Sequence, residues 1–368
     1  MMKRKFAGIT ALMFAAAIAV SGCGKKEAET QAPQTETQIK IESEKQTETE
    51  TETETETETE LVVPEGKAIS HLTGEIVDEA VNNRRPVALM INNVTEALPQ
   101  SGLSQADILY EAVVESKITR LMAVFQNYEA LEKVGPIRSA RHYYLDFAHD
   151  EEAIYGHFGW SIFAENRINS EGIKTLQLMA GGLNSDYYRA SDRVAPHNVY
   201  MTGEQIVHAI GRFGADTALP ENYESRLNFF TKDTVPSDGE NAEKVKIPTS
   251  SDAQLEYDAE NKIYKKFQYG EPHMDDVNDK QLTFKNIIIQ FAPYSCIDAP
   301  SDCQDIALTG EGRGLYITDG KCVDITWKKA DLKTDYTRYY TEDGKELSLN
   351  PGKSYIAVIP TDYKVTVS

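Results

Sequence analysis

The chain has 368 residues, with 58 Asp and Glu against 38 Lys and Arg, a formal charge of −20. Such a balance argues against sequence-independent binding to DNA, RNA or an anionic lipid surface, which rests on neutralising phosphates with basic side chains. The length is enough for a leader, a linker and two domains, and no segment beyond the first 22 residues is apolar enough to span a bilayer.

Residues 1–22 read as a lipoprotein signal peptide. Lys3-Arg4-Lys5 is a positive start, Phe6 to Val20 an apolar run too short and alanine-rich to be a good membrane span, and small residues precede Cys23. Cleavage before Cys23 leaves a thiol to carry diacylglycerol. With two or three acyl chains, palmitate among them, at ~0.8 kcal/mol per buried methylene, anchoring is stable. Residues 23–60 then hold the lipidated cysteine and a disordered tether. Thr-Glu repeats fill Thr47 to Glu60, aliphatic residues are nearly absent, and like charges at every second position repel one another. Fully stretched, the tether reaches on the order of 120 Å. Twelve Glu against seven Lys and Arg in residues 1–60 leave about 15 excess negative charges on the remainder.

That remainder divides by texture into an α/β N-terminal domain, residues 61–225, and a smaller, mainly β C-terminal domain, residues 226–368. In the first, Pro86 to Ile91, Ile108 to Val114 and Leu121 to Gln126 are short apolar runs that predict buried strands. Ser139 to His149 predicts a helix. So does Thr202 to Phe213, with Thr202 as N-cap and Gln205 at the capping-box position. In the second, strands are predicted at Lys262 to Phe267, Phe284 to Phe291, Gly314 to Ile317, Val323 to Trp327 and Tyr355 to Ile359. Turns fall at Asp319-Gly320, Asp343-Gly344 and Asn350-Pro351-Gly352. The polar stretch Asp233 to Ser251 predicts an excursion loop.

The chemistry-bearing residues concentrate between Gly135 and Tyr200, and five of the seven histidines fall between His142 and His208. Gly135-Pro136-Ile137-Arg138-Ser139-Ala140-Arg141 predicts a turn and a helix start capped by Ser139, whose amides and two guanidiniums suit an anion or carboxylate. The same arginines could instead form structural ion pairs with Asp146, Glu151 or Glu152. His157, at a strand end between two glycines, is placed to face a ligand. Arg189, in an Asp-Tyr-Tyr-Arg run, and Asp192, Arg193, His197 and Asn198 in the next loop offer donors to a polar polymer. Asp150-Glu151-Glu152 reads as a solvated charge run. No Gly-x-Ser-x-Gly, His-Glu-x-x-His, Cys-x-x-Cys or phosphate-binding glycine loop is present, so neither a metal nor a cofactor is called for. Cys296, Cys303 and Cys322 leave two readings open, one disulfide or three thiols packed as small apolar groups.

Several stretches carry a resemblance: Arg85-Pro86-Val87-Ala88-Leu89-Met90-Ile91-Asn92-Asn93, Pro99 to Glu111, Ile118-Thr119-Arg120, Gly135 to Arg141 and Asp192 to Asn198. In the second half, Phe284 to Ile288, Gly320 to Trp327, Tyr339-Tyr340 and Leu349 to Lys353 add to it. Together they resemble the YerB-like lipoproteins of Gram-positive bacteria. The resemblance implies a two-domain extracytoplasmic lipoprotein of a family without a settled biochemical activity, and supplies no catalytic residues. The three cysteines of the second half and the long tether depart from the family's pattern.

The reading that follows is an extracytoplasmic, lipid-anchored binding or interaction module of the cell envelope. Its ligand, a cell-wall polymer or an envelope protein, would meet a polar cleft of Arg138, Ser139, Arg141, His157, Arg189, Asp192, Arg193, His197 and Asn198. The rival is a hydrolase or transferase acting on wall polymer, with His157 or His197 as general base. A third reading uses the β-rich half as a contact surface for the wall-synthesis machinery.

Overall fold

In the computed structural model, residues 62–221 and 223–368 are described. The segments read as export signal and tether, Cys23 included, lie outside them. The N-terminal half mixes helix and strand, the C-terminal half is mainly β, and every α-helix among the described residues ends before residue 214.

The apolar runs become the centre of one eleven-stranded sheet. Val87–Asn92, Ile108–Val113 and Thr119–Phe125 are buried at every position. So are Asn286–Ala292 and, up to its last residue, Ser354–Pro360. Continuous apolar strands of this kind are those covered on both faces. Alternate residues divide accordingly. Val87, Leu89 and Ile91 join one core with Ile206 and Ala209 of the Gly203–Phe213 helix and with Val245, Leu255 and Tyr264 of a second, six-stranded sheet. Ala88 and Met90 join the other core with Tyr144 and Phe147 of the Tyr144–Asp150 helix and Ile168 of the Ile162–Glu171 helix.

The halves meet inside the large sheet. Ser354–Pro360 runs parallel to Asn286–Ala292 on one side and parallel to Ile108–Val113 on the other, with Ile356 opposite Tyr110. Val87–Asn92 and Ile154–His157 run the same way, so the carboxyl ends of strands from both halves lie along one edge. Gly352 donates to the Thr73 carbonyl at 2.7 Å, which places the Lys67–Ile69/Ile76–Asp78 hairpin at the opposite edge.

The capping box forms at Thr202. Its hydroxyl accepts from Gln205 N at 3.2 Å, and the Gln205 side chain accepts from Thr202 N at 3.0 Å. Three expectations are corrected. The polar stretch 233–251 is not a free loop, because Glu240–Asn241 pairs with Lys321–Lys329 and Lys244–Lys246 enters the second sheet. The helix expected from Ser139 begins only at Tyr144. Asp150-Glu151-Glu152 is not solvated: the three are 3%, 1% and 6% exposed. Each finds a cation distant in the chain. Lys329 lies 2.8 Å from Asp150 and Arg85 3.0 Å from Glu152, while Arg226 pairs with Glu151. Cys296, Cys303 and Cys322 are free thiols.

Candidate anion site

Val87–Asn92 and Ile154–His157 pair only from Val87 to Leu89 and then separate. A crevice outside the carboxyl ends of parallel strands is where ligands enter open α/β sheets. Here residues 135–141 enter it as extended chain. Asn92 N donates to the Pro136 carbonyl at 3.0 Å, Arg138 N to Met90 at 2.8 Å, Ala140 N to Gly159 at 2.9 Å, and Phe158 N to the Arg138 carbonyl at 3.0 Å. This explains the missing helix turn. Ala140 N, which a helix start would aim at an anion, is donated to the Gly159 carbonyl, and Ser139 Oγ donates to the Phe158 carbonyl at 3.1 Å instead of capping.

The segment's guanidiniums remain, and a third joins them. Arg120, at the start of Thr119–Phe125, donates through Nη2 to Glu115 Oε1 at 2.8 Å and through Nη1 to the Ser139 carbonyl. Arg141 Nε donates to the other oxygen of Glu115 at 2.8 Å. The Arg138 side chain makes no hydrogen bond or ion pair among the described residues, and its Nε is buried without an acceptor. Three positive charges thus surround one carboxylate on a strongly acidic head. Burial, and then the adjacent Arg141, push Arg120 down to about 10. The same two causes lower Arg138. Guanidiniums depressed in this way are short of negative charge, and an anion would supply it.

His197 borders the same place. Asn92 Nδ2 lies 2.6 Å from its Nδ1, and an amide N–H only donates, so Nδ1 accepts and Nε2 carries the ring proton. Burial and the Arg138 guanidinium lower its pKa against the pull of Glu96. A neutral ring with a free Nε2–H is a further donor. Beside Ser139, at Gly159, stands the exposed side chain of Met179.

Not all of the expected residues gather here. Arg138, Ser139, Arg141 and His197 do. Arg189 and Asn198 bind each other at 2.7 Å, with the guanidinium over the Phe158 ring. Arg193 holds the Leu98 and Pro99 carbonyls at 2.8 and 3.1 Å, and Asp192 is exposed beside it. His157 does not face a ligand. It is fully buried, with Nδ1 2.8 Å from the Gly159 carbonyl and Nε2 2.9 Å from Thr175 Oγ1. Burial holds it at about 4, a neutral core histidine. The acids considered as partners for Arg138 and Arg141 are taken elsewhere: Arg167 grips both oxygens of Asp146 at 2.6 Å, and Glu151 and Glu152 hold Arg226 and Arg85. Arg120, Glu115 and Asn92 were missed as site residues. Only the strand pairing brings them to the crevice, and nothing in their spacing from Arg138 signals it.

Among the described residues no group of three or more His, Cys, Asp or Glu is arranged to hold a metal, and no helix is long and apolar enough to cross a membrane.

Comparison with known proteins supplies the relationship. Residues 72–216 match the N-terminal domain, and residues 244–356 the C-terminal domain, of the protein of unknown function DUF3048. The chain is 33% identical over 295 residues to "Putative lipoprotein YerB" of Bacillus subtilis (strain 168), covering 78% of this chain and 85% of that protein. The crystal structure of YerB from Bacillus subtilis superposes with a TM-score of 0.70 at 30% identity, over 82% of this chain and all of that one. With both domains in order and a relative of this identity along most of its length, the chain belongs to the DUF3048 family, that of the YerB-like proteins.

Proposed function

We propose that the protein is anchored through an acylated Cys23 to the outer face of the cytoplasmic membrane, and that its head binds an anionic group of an envelope polymer at the arginine crevice. The observation that carries the binding is Arg138: a guanidinium with a buried, unpartnered Nε beside two more arginines that share one carboxylate. The three guanidiniums lie at the carboxyl edge of the large sheet. The signal-and-cysteine pattern and the lipoprotein relative support the anchoring.

Binding is tested by titrating the mature chain, in detergent micelles, with a soluble polyol-phosphate polymer and with an uncharged polysaccharide as control. Only the phosphate polymer should bind. Arg138→Gln should weaken it by about tenfold, the loss expected for one charge-assisted contact, while the melting temperature stays within about 2 °C because no native partner is lost. Equal affinity of the two proteins would remove Arg138 from the site. The anchor is tested separately. Mass spectrometry of the purified protein should find diacylglycerol on Cys23, and Cys23→Ser should move the protein from the membrane to the soluble fraction. An unmodified Cys23 in mature protein would end that part of the proposal alone.

A further inference from the structure

The charge balance at the arginine crevice bears on which anion it takes. Glu115 is the carboxylate already inside it, and its turn is tied down. Ile118 N donates to the Glu115 carbonyl at 3.2 Å and Val114 N to the Ile118 carbonyl at 2.8 Å, while Ser116 N donates to Asp302 of the second half at 2.9 Å. The Glu115 side chain meets Arg120 and Arg141 together. Against its single charge stand three guanidiniums, close enough that, after burial, Arg141 and then Arg138 help to lower Arg120. Two positive charges are left over. Tyr143 and Tyr155, packed beside them, are held neutral by burial. Glu96 reaches His197 from an exposed turn, where water screens it.

The donors divide differently from the charges. Arg120 and Arg141 spend their N–H groups on Glu115 and on the Ser139 and Ala140 carbonyls, so they supply charge and little else. The donors within reach of a ligand belong to Arg138 and His197, both partly exposed. The Arg138 side chain has no acceptor among the described residues, and His197 offers Nε2–H because its Nδ1 accepts from Asn92. A planar guanidinium fork takes two oxygens of one group, and a donor beside it can take a third. A phosphate monoester presents three terminal oxygens and, at neutral pH, close to two charges. A phosphodiester or a carboxylate presents two oxygens and one charge.

From the two unbalanced charges and the three-oxygen donor set we infer that the crevice selects a phosphate monoester, the group found at a polymer's end or on a free polyol phosphate, over the diesters along a polymer's length. The inference rests on the crevice being an anion site, as proposed above, and adds the class of anion. Arg138 holds two oxygens, His197 holds the third, and Arg120 and Arg141 balance the second charge.

The test titrates the mature full-length chain, in detergent micelles, with glycerol 3-phosphate, with the diester glycerophosphoglycerol, and with malonate, a dianion that lacks the tetrahedral group. At pH 8 the monoester should bind at least about tenfold more tightly than either of the others. Its second proton titrates near pH 6, so at pH 5 roughly a tenth of it is dianionic, and the monoester-to-diester affinity ratio should fall about tenfold. The diester keeps its charge over that range and so controls for protonation of His197 or Glu115. His197→Ala should weaken the monoester about tenfold and leave the diester within about twofold, with the melting temperature within about 2 °C of the parent. Phosphatase, which strips terminal monoesters from a polyol-phosphate polymer and spares its internal diesters, should reduce binding of that polymer at least about tenfold. Tighter binding of the untreated polymer than of glycerol 3-phosphate assigns the group to a polymer end, and equal affinity assigns it to a free polyol phosphate. Equal affinity for monoester and diester at pH 8, a ratio that stays constant down to pH 5, malonate binding as tightly as the monoester, or polymer binding that survives phosphatase would each overturn the selectivity while leaving an anion site in place. Failure of every phosphate probe to bind would instead end the crevice as an anion site.

Discussion

Arg226→Met should destabilise the fold by about 3–5 kcal/mol, the cost of leaving a buried carboxylate without its cation. Arg226 and Glu151 side chains are each 1% exposed. The guanidinium also donates to the Tyr110 hydroxyl at 2.6 Å and the Thr337 carbonyl at 3.0 Å, and Tyr110 in turn donates to Glu151 at 2.5 Å. The substitution preserves apolar bulk, so the loss reports the unpaired charge more than a cavity. Urea unfolding followed through the buried Trp327 should show a midpoint lowered by on the order of 1–2 M. Adding Glu151→Leu should restore much of the loss, because a buried ion pair replaced by apolar groups is often nearly neutral. A single-variant loss below about 1 kcal/mol would mean that water reaches Glu151 and that the pair does not lock the halves together.

Lys266→Met should cost a similar amount at neutral pH, and the cost should shrink in acid. Glu111 and Lys266 are both fully buried, 3.5 Å apart. Ser251 donates to Glu111 at 2.6 Å and Tyr355 at 2.7 Å, while Lys266 also meets His273 at 3.3 Å. Burial alone would raise the Glu111 pKa, but the ammonium and these hydroxyls outweigh it and hold it below the usual value. In the native protein its contribution is therefore full above the unfolded carboxylate pKa and is lost as pH falls through the depressed one. Without Lys266, burial dominates and the folded pKa rises. The penalty then exists only above the unfolded value of about 4.3 and grows with pH until the raised pKa is reached. The stability difference between the two proteins, measured by denaturation from pH 4 to 8, should widen from about 1 to about 3–5 kcal/mol. A difference independent of pH would show that Glu111 does not change protonation in the variant.

This buried network also draws in the Asn92-Asn93 stretch and the Pro99 to Gly102 stretch, whose proline and glycine read in sequence as a turn that serves the fold. Gln100 donates to the Asn93 side chain at 3.1 Å and meets His273 at 2.8 Å, and Asn93 donates to Thr119 and Glu111. Asp275 accepts from Gly102 N and Ser104 N, both at 2.8 Å. The Asn92-Asn93 and Pro99 to Gly102 stretches thus brace the first half against the second sheet.

By itself the sequence determined the local features: the apolar runs that became central strands, the helix opened by Thr202 and Gln205, the two-residue turn at Asp319-Gly320, and the change of texture between halves. These follow from periodicity and capping within a few residues of each position. Charge partnership was decided only by the tertiary structure. Asp150 and Lys329 are 179 residues apart, and Glu151 and Arg226 are 75 apart. A run of three acids looks the same on a solvated face as in a core until the chain closes around it. The same holds at the crevice, where the sequence offers Arg138 and Arg141, and it is the sheet, by placing Arg120 and Glu115 beside them, that leaves Arg138 as the guanidinium without a counter-charge.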